Sequence, residues 1–144
     1  MPVKPIPEGY HSVTPYLVGH DIGKLIDFLK RAFGAEETHP PMKRPDGAIM
    51  HAEVTIGDSK IMMGEAEPKP CVFYHYTANC DAVHQRALQA GGTSVAEPTD
   101  QFYGDRHAAV MDPCGNVWWV ATHIEDVPAE EMKKRAEAHA KPKT

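Results

Sequence analysis

The sequence predicts an α+β domain built from two tandem β-α-β-β-β modules. Three observations carry this. A strand-like run is twice followed by apolar residues at helical spacing; both of these helices end at glycine; and each half closes on a hairpin, around Gly57-Asp58 and around Pro113-Cys114-Gly115. The repeat is one of element order, not of residue identity.

Pro2, Pro5 and Pro7 keep residues 1–9 out of helices and central strands, so this stretch reads as an extended arm. Residues 12–18 alternate as a strand. Asp21 is placed to cap a helix whose apolar stripe is Ile22, Leu25, Ile26, Leu29, Ala32 and Phe33, and Gly34 ends it. Residues 38–48, with Pro40, Pro41, Pro45 and Gly47, read as a loop. Strands over 48–56 and 59–64 then flank the Gly57-Asp58 turn.

The second half repeats the order. Residues 72–78 form a strand, and Asn79 or Asp81 caps a helix carrying Val83, Ala87, Leu88 and Ala90 that stops at Gly91-Gly92. A short strand over 93–96 leads into a loop over 97–104. Strands over 105–111 and 116–122 close the module, with Pro113 and Gly115 suited to the turn between them. The domain thus spans 10–123, with modules at about 12–65 and 71–123. Residues 124–144 read as a helical tail, thinly apolar, with Glu130–Lys134 and Glu131–Arg135 as ordered charge pairs.

A chain of 144 residues with net charge −5 has no concentrated basic surface, which argues against nucleic acid as a partner. Three cysteines, Cys71, Cys80 and Cys114, at unrelated spacings indicate neither a disulfide framework nor a zinc knuckle and fit a reducing cytoplasm. Cys80 begins a helix, where a lowered thiol pKa is one option. No run suggests a signal peptide or membrane span. Hydrolase and nucleotide-binding motifs are absent.

The segments Val13-Thr14-Pro15-Tyr16-Leu17-Val18, Ala32-Phe33-Gly34-Ala35-Glu36, Met50-His51-Ala52-Glu53, Ile56-Gly57-Asp58-Ser59, Tyr103-Gly104-Asp105-Arg106 and the hairpin from Asp112 to His123 resemble the vicinal oxygen chelate superfamily, the glyoxalase and bleomycin-resistance fold. Within it they resemble the subgroup of the phosphonate-operon protein B. The resemblance implies curved sheets with helices on the convex side, a concave pocket, a homodimer and a small-molecule ligand. It also implies four metal-ligand positions, which fall here on about Thr14, Met62, Val72 or Tyr74, and Trp119. None is an imidazole, carboxylate or thiolate, so no metal is expected there and no cofactor is assigned.

Strand parity sorts the remaining residues. His51, Glu53 and Thr55 share the face opposite Ala52, Val54 and Ile56, with Glu53 across from Met62 if Gly57-Asp58 is a two-residue turn. Trp119 falls opposite Ala109 and His107 opposite Ala121. Thr14 and Tyr16 are read as pointing inward, and Val13, Pro15 and Leu17 toward the helix. The expected ligand-contacting set is Trp119, Tyr16, Thr14, His51, Glu53, Met62 and His107, with Phe102 and Tyr103 as a lid. Trp119 reads either as core filler or as a stacking platform, and His51 with Glu53 either as a hydrogen-bonded polar pair or as ligand contacts. Asp105 and Arg106 read as an ion pair or turn clamp, and His75, His84 and His123 as surface or edge residues.

Two functions compete. One is metal-independent binding or sequestration of a small, aromatic or amphipathic molecule. The other is isomerase or lyase-type chemistry on a small oxygenated substrate, with Glu53 as general base and His51 or His107 as its partner, or with these three residues as a displaced metal site.

Overall fold

The computed structural model describes residues 3–140. In chain order the elements are β1 (Tyr16–Gly19), α1 (Ile22–Phe33), β2 (Glu36–Glu37), β3 (Met42–Lys43), β4 (Ile49–Ile56), β5 (Ser59–Glu65), β6 (Val72–Tyr76), α2 (Cys80–Gln89), β7 (Thr93–Asp100), β8 (Asp105–Met111), β9 (Val117–His123) and α3 (Ala129–Ala140). They form two curved sheets. The first runs β1-β5-β4-β2, with β3 also paired to β4, and the second runs β6-β9-β8-β7. In each, the first strand of the module lies parallel to the last, whose antiparallel partner is the other arm of the closing hairpin.

Local chemistry explains the helix ends. The Asp21 carboxylate accepts from the Lys24 N–H, and Gly34 adopts φ 69°, so that the chain leaves α1 through a left-handed turn closed on Leu29 and Lys30 carbonyls. Asn79, not Asp81, caps α2 by accepting from the Ala82 N–H. The two-residue turn fixes Ile56 against Ser59 and Glu53 against Met62. The second hairpin sets Ala109 against Trp119 and His107 against Ala121.

Three stretches depart from the sequence expectation. β1 begins at Tyr16 and not at residue 12, because Pro15 offers only its carbonyl, which accepts from the Met62 N–H; Val13 is left exposed instead of facing the helix. β7 continues to Asp100 through the region expected to be a loop. It is an edge strand with two register shifts, a position that accommodates Pro98. The expected loop at 38–48 is interrupted by β3 and bordered by β2, both laid along β4.

The core is shared. Leu17, Leu25, Phe28, Leu29, Val54 and Met63 of the first module join Ala87, Val110 and Trp118 of the second in one buried cluster. Phe33 links the halves, lying edge-on to Phe28 and His75 and 5.0 Å from the Trp118 ring. Tail helix α3 buries no residue, but Arg135, braced by Glu131 within the helix, ties it down through Glu125 and the Phe102 carbonyl.

Candidate functional site

Even-numbered residues of β8 and β9 face α2, which leaves the odd-numbered ones on the opposite, concave side with Tyr74 and Tyr76 of β6. Asp105 organises this face. Its side chain is only 3% exposed and accepts from the Tyr74 hydroxyl at 2.7 Å and the Tyr76 hydroxyl at 2.9 Å, and it pairs with His123 Nδ1 at 2.9 Å. Burial alone would raise the Asp105 pKa, but these three partners outweigh it and hold the carboxyl below its ordinary value. Tyr74, desolvated and bonded to Tyr103 and Asp105, is pushed well above the usual phenol range. His107 lies 4.6 Å from the Trp119 ring and within hydrogen-bond reach of Tyr103 at 3.1 Å. Burial lowers its pKa against the opposing pull of Asp105, favouring a neutral imidazole with one donor and one acceptor.

The first sheet presents a different group. Glu53 is 2% exposed and accepts from the Tyr10 hydroxyl at 2.6 Å, a bond that raises the Tyr10 pKa. His51 Nδ1 lies 3.3 Å from the Tyr16 hydroxyl, and the His39 ring stacks on His51 with centroids 6.0 Å apart. Ligand atoms of His39, His51 and Glu53 all fall within 4.8 Å of one another. Met62 sits beside Glu53 in register.

The expected residues therefore form two groups. His51, Glu53, Met62 and Tyr16 lie on the first sheet; His107, Trp119 and Tyr103 lie on the second with Tyr74. His107 does not join His51 and Glu53: the metal-compatible trio among the described residues takes His39 instead. Thr14 belongs to neither group. It lines a cavity of about 490 Å³ between the lead-in to β1, the β4–β5 turn and β6, together with Ile61, Phe73, His75 and Trp118. Phe102 packs on Tyr103 and on His139 of α3, which anchors the segment that was expected to be a lid.

Other sequence expectations require correction. His84 is not at the surface: it is 3% exposed and bonded to Ser94. His75 is half-buried beneath Phe33, and its Nδ1 has no hydrogen-bond partner among the described residues. Asp105 and Arg106 are not a pair, because adjacent strand residues point to opposite faces; Arg106 bonds Asp81 and Asp100 on the helix side. Burial raises the Cys80 thiol despite its helix-terminal position. His39, Tyr10, Tyr76 and the site role of Asp105 were missed by sequence reasoning. The parity of Asp105 and Tyr76 was a usable signal, whereas nothing in the proline-rich stretch marked His39.

The family's four metal positions do not fit a metal here. Met62 and Trp119 supply no hard donor, Thr14 lies in another cavity, and the Tyr74 phenol is held protonated beside Asp105. Residues 10–120 match the Glyoxalase/Bleomycin resistance protein/Dioxygenase superfamily, and the chain belongs to it. An uncharacterised protein of Mycobacterium bovis is 33% identical, over 85% of this chain and 90% of that protein. Among solved structures, TioX from Micromonospora sp. ML1 superposes with a TM-score of 0.67 at 22% identity, covering 79% of this chain and 99% of TioX. A glyoxalase-related enzyme from Clostridium phytofermentans gives 0.66 at 15% identity, covering 82% of this chain and all of that one. These likenesses establish the fold. No helix among the described residues is long and apolar enough to cross a membrane.

Proposed function

We propose that this protein binds and sequesters a small, planar or amphipathic molecule on the concave face of its second sheet, without a metal at the family's four positions. The supporting observation is the grouping of Tyr74, Tyr103, His107 and Trp119 around the buried Asp105. Stacking surface, a neutral imidazole and a buried anion give such a ligand apolar area and a few fixed polar contacts. Each aromatic contact is worth on the order of 1 kcal/mol at a partly open site.

We further propose a domain over 10–123 with modules at about 12–65 and 71–123, a tail over 124–144, membership of the phosphonate-operon protein B subgroup, a cytoplasmic location and a homodimer. Both concave faces leave apolar area open, with Tyr16, Tyr74, Tyr76 and Val72 between 42% and 68% exposed, which supports coverage by a second copy. Isomerase or lyase-type catalysis is the competing reading, supported by the grouping of His51 and Glu53 with His39.

The test is a panel of planar aromatic and cationic compounds followed by tryptophan fluorescence and melting temperature. A ligand-dependent rise in melting temperature that Trp119→Ala abolishes and Trp119→Phe partly retains, with quenching of tryptophan emission in the parent protein, is the expected result. If every compound that binds does so equally well to Trp119→Ala, the reading is wrong.

A further inference from the structure

We propose that His39, His51 and Glu53 form a binding site for a divalent transition metal ion of the zinc type on the first sheet, with Glu53 directly across from Met62 but none of the three at the family's four ligand positions. The inference is independent of ligand capture by the second sheet, so either can fail alone. Two imidazoles and a carboxylate whose ligand atoms lie within 4.8 Å of one another supply the donor types that zinc and its neighbours take.

The outer contacts of all three residues favour this use. His39 Nδ1 lies 3.2 Å from the Pro40 carbonyl; a carbonyl only accepts, so this bond puts the proton on Nδ1 and leaves the Nε2 lone pair free. His51 Nδ1 is held by the Tyr16 hydroxyl at 3.3 Å, again directing Nε2 away from its hydrogen-bond partner. Tyr10 occupies one oxygen of Glu53 at 2.6 Å and leaves the other available. Orientation of each ligand by a second contact is the usual arrangement around a bound metal.

Burial supplies a separate argument. Glu53 is 2% exposed, yet among the described residues it has no ion-pair partner, and its one side-chain hydrogen bond comes from a neutral phenol. A carboxylate removed from water is ordinarily matched by a cation. The backbone brings the third ligand in: the Thr38 N–H donates to the Glu53 carbonyl and β3 pairs Met42 with His51, so the intervening segment carries His39 across β4. Three protein ligands leave a coordination position for water or an oxygenated ligand.

The experiment titrates the full chain, stripped with a chelator, with Zn²⁺ by calorimetry and with Co²⁺ by visible absorption. One equivalent is expected, with at least tenfold weaker binding in His39→Ala, His51→Ala and Glu53→Gln and ligand-field bands that report nitrogen and oxygen donors. Tyr10→Phe should weaken binding a few-fold. His20→Ala, at an exposed histidine, should leave it unchanged. Should an alanine variant misfold by circular dichroism, His51→Gln takes its place. Lack of saturable binding, or binding that survives loss of both His39 and His51, overturns the proposal.

Discussion

The Asp112 carboxylate accepts the indole N–H of Trp118 at 2.9 Å, inside the turn that joins β8 to β9. The same side chain accepts from the backbone N–H groups of Cys114 and Asn116 and from the Asn116 amide, while the Asn116 amide oxygen accepts from the Cys71 N–H. One buried carboxylate thus closes the hairpin, orients the largest core side chain and secures the start of β6.

Asp112→Ala should therefore lower stability by about 3 kcal/mol or more, since it orphans several buried donors together. Urea denaturation followed by tryptophan emission measures this. A loss below about 1 kcal/mol would mean that water replaces the carboxylate, contrary to its 4% exposure.

His123 should titrate above the ordinary imidazole value of 6.5, because its hydrogen bonds to Asp105 and then Asp126 favour the charged ring. A raised folded pKa makes this contribution complete below 6.5 and removes it as the pH climbs through the folded value. Asp105 behaves oppositely. Its lowered pKa gives a contribution present above the ordinary 3.8 and lost as pH falls through the folded value. Proton NMR of the imidazole should show its midpoint shifting toward 6.5 in Asp126→Asn and further in Asp105→Asn.

How much of this was legible follows from which quantities are local. The β4–β5 register was readable because a two-residue turn leaves one pairing that keeps Val54 and Ile56 in the core. The separation of His107 from His51 was not, because parity gives the face of a strand and says nothing about the distance between sheets. His39 was hidden among prolines, on a segment held to β4 by two-residue strands that no periodicity reveals. Asp105 was paired with Arg106 by adjacency, although alternation already placed them on opposite faces. Its real partners come from two other strands, β6 and β9.

His75→Leu should stabilise the protein by about 1 kcal/mol at neutral pH, since it removes a buried nitrogen that has no partner among the described residues. Burial lowers the His75 pKa below 6.5, so the native state resists protonation and the gain should widen as pH falls below 6.5. Melting temperatures of the two proteins across that range measure the difference, and a variant less stable than its parent at every pH would count against the assignment.

Gly92→Ala should cost about 2 kcal/mol. A β-carbon there would stand 2.5 Å from Val110 Cγ2 and 2.9 Å from both the Ala87 carbonyl oxygen and the Phe28 ring. All three are fixed core atoms with no free space to retreat into, and a shift in the denaturant midpoint at unchanged slope would report the effect.

Phe33, the last residue of α1, touches Phe28 on its own helix and His75 and Trp118 on the second sheet. The repeated halves are thus not interchangeable building blocks that melt one after the other. A chain severed between Glu65 and Val72 would yield two fragments, each carrying an open apolar face, that gain native order only by finding each other, and the whole molecule should unfold in a single cooperative step.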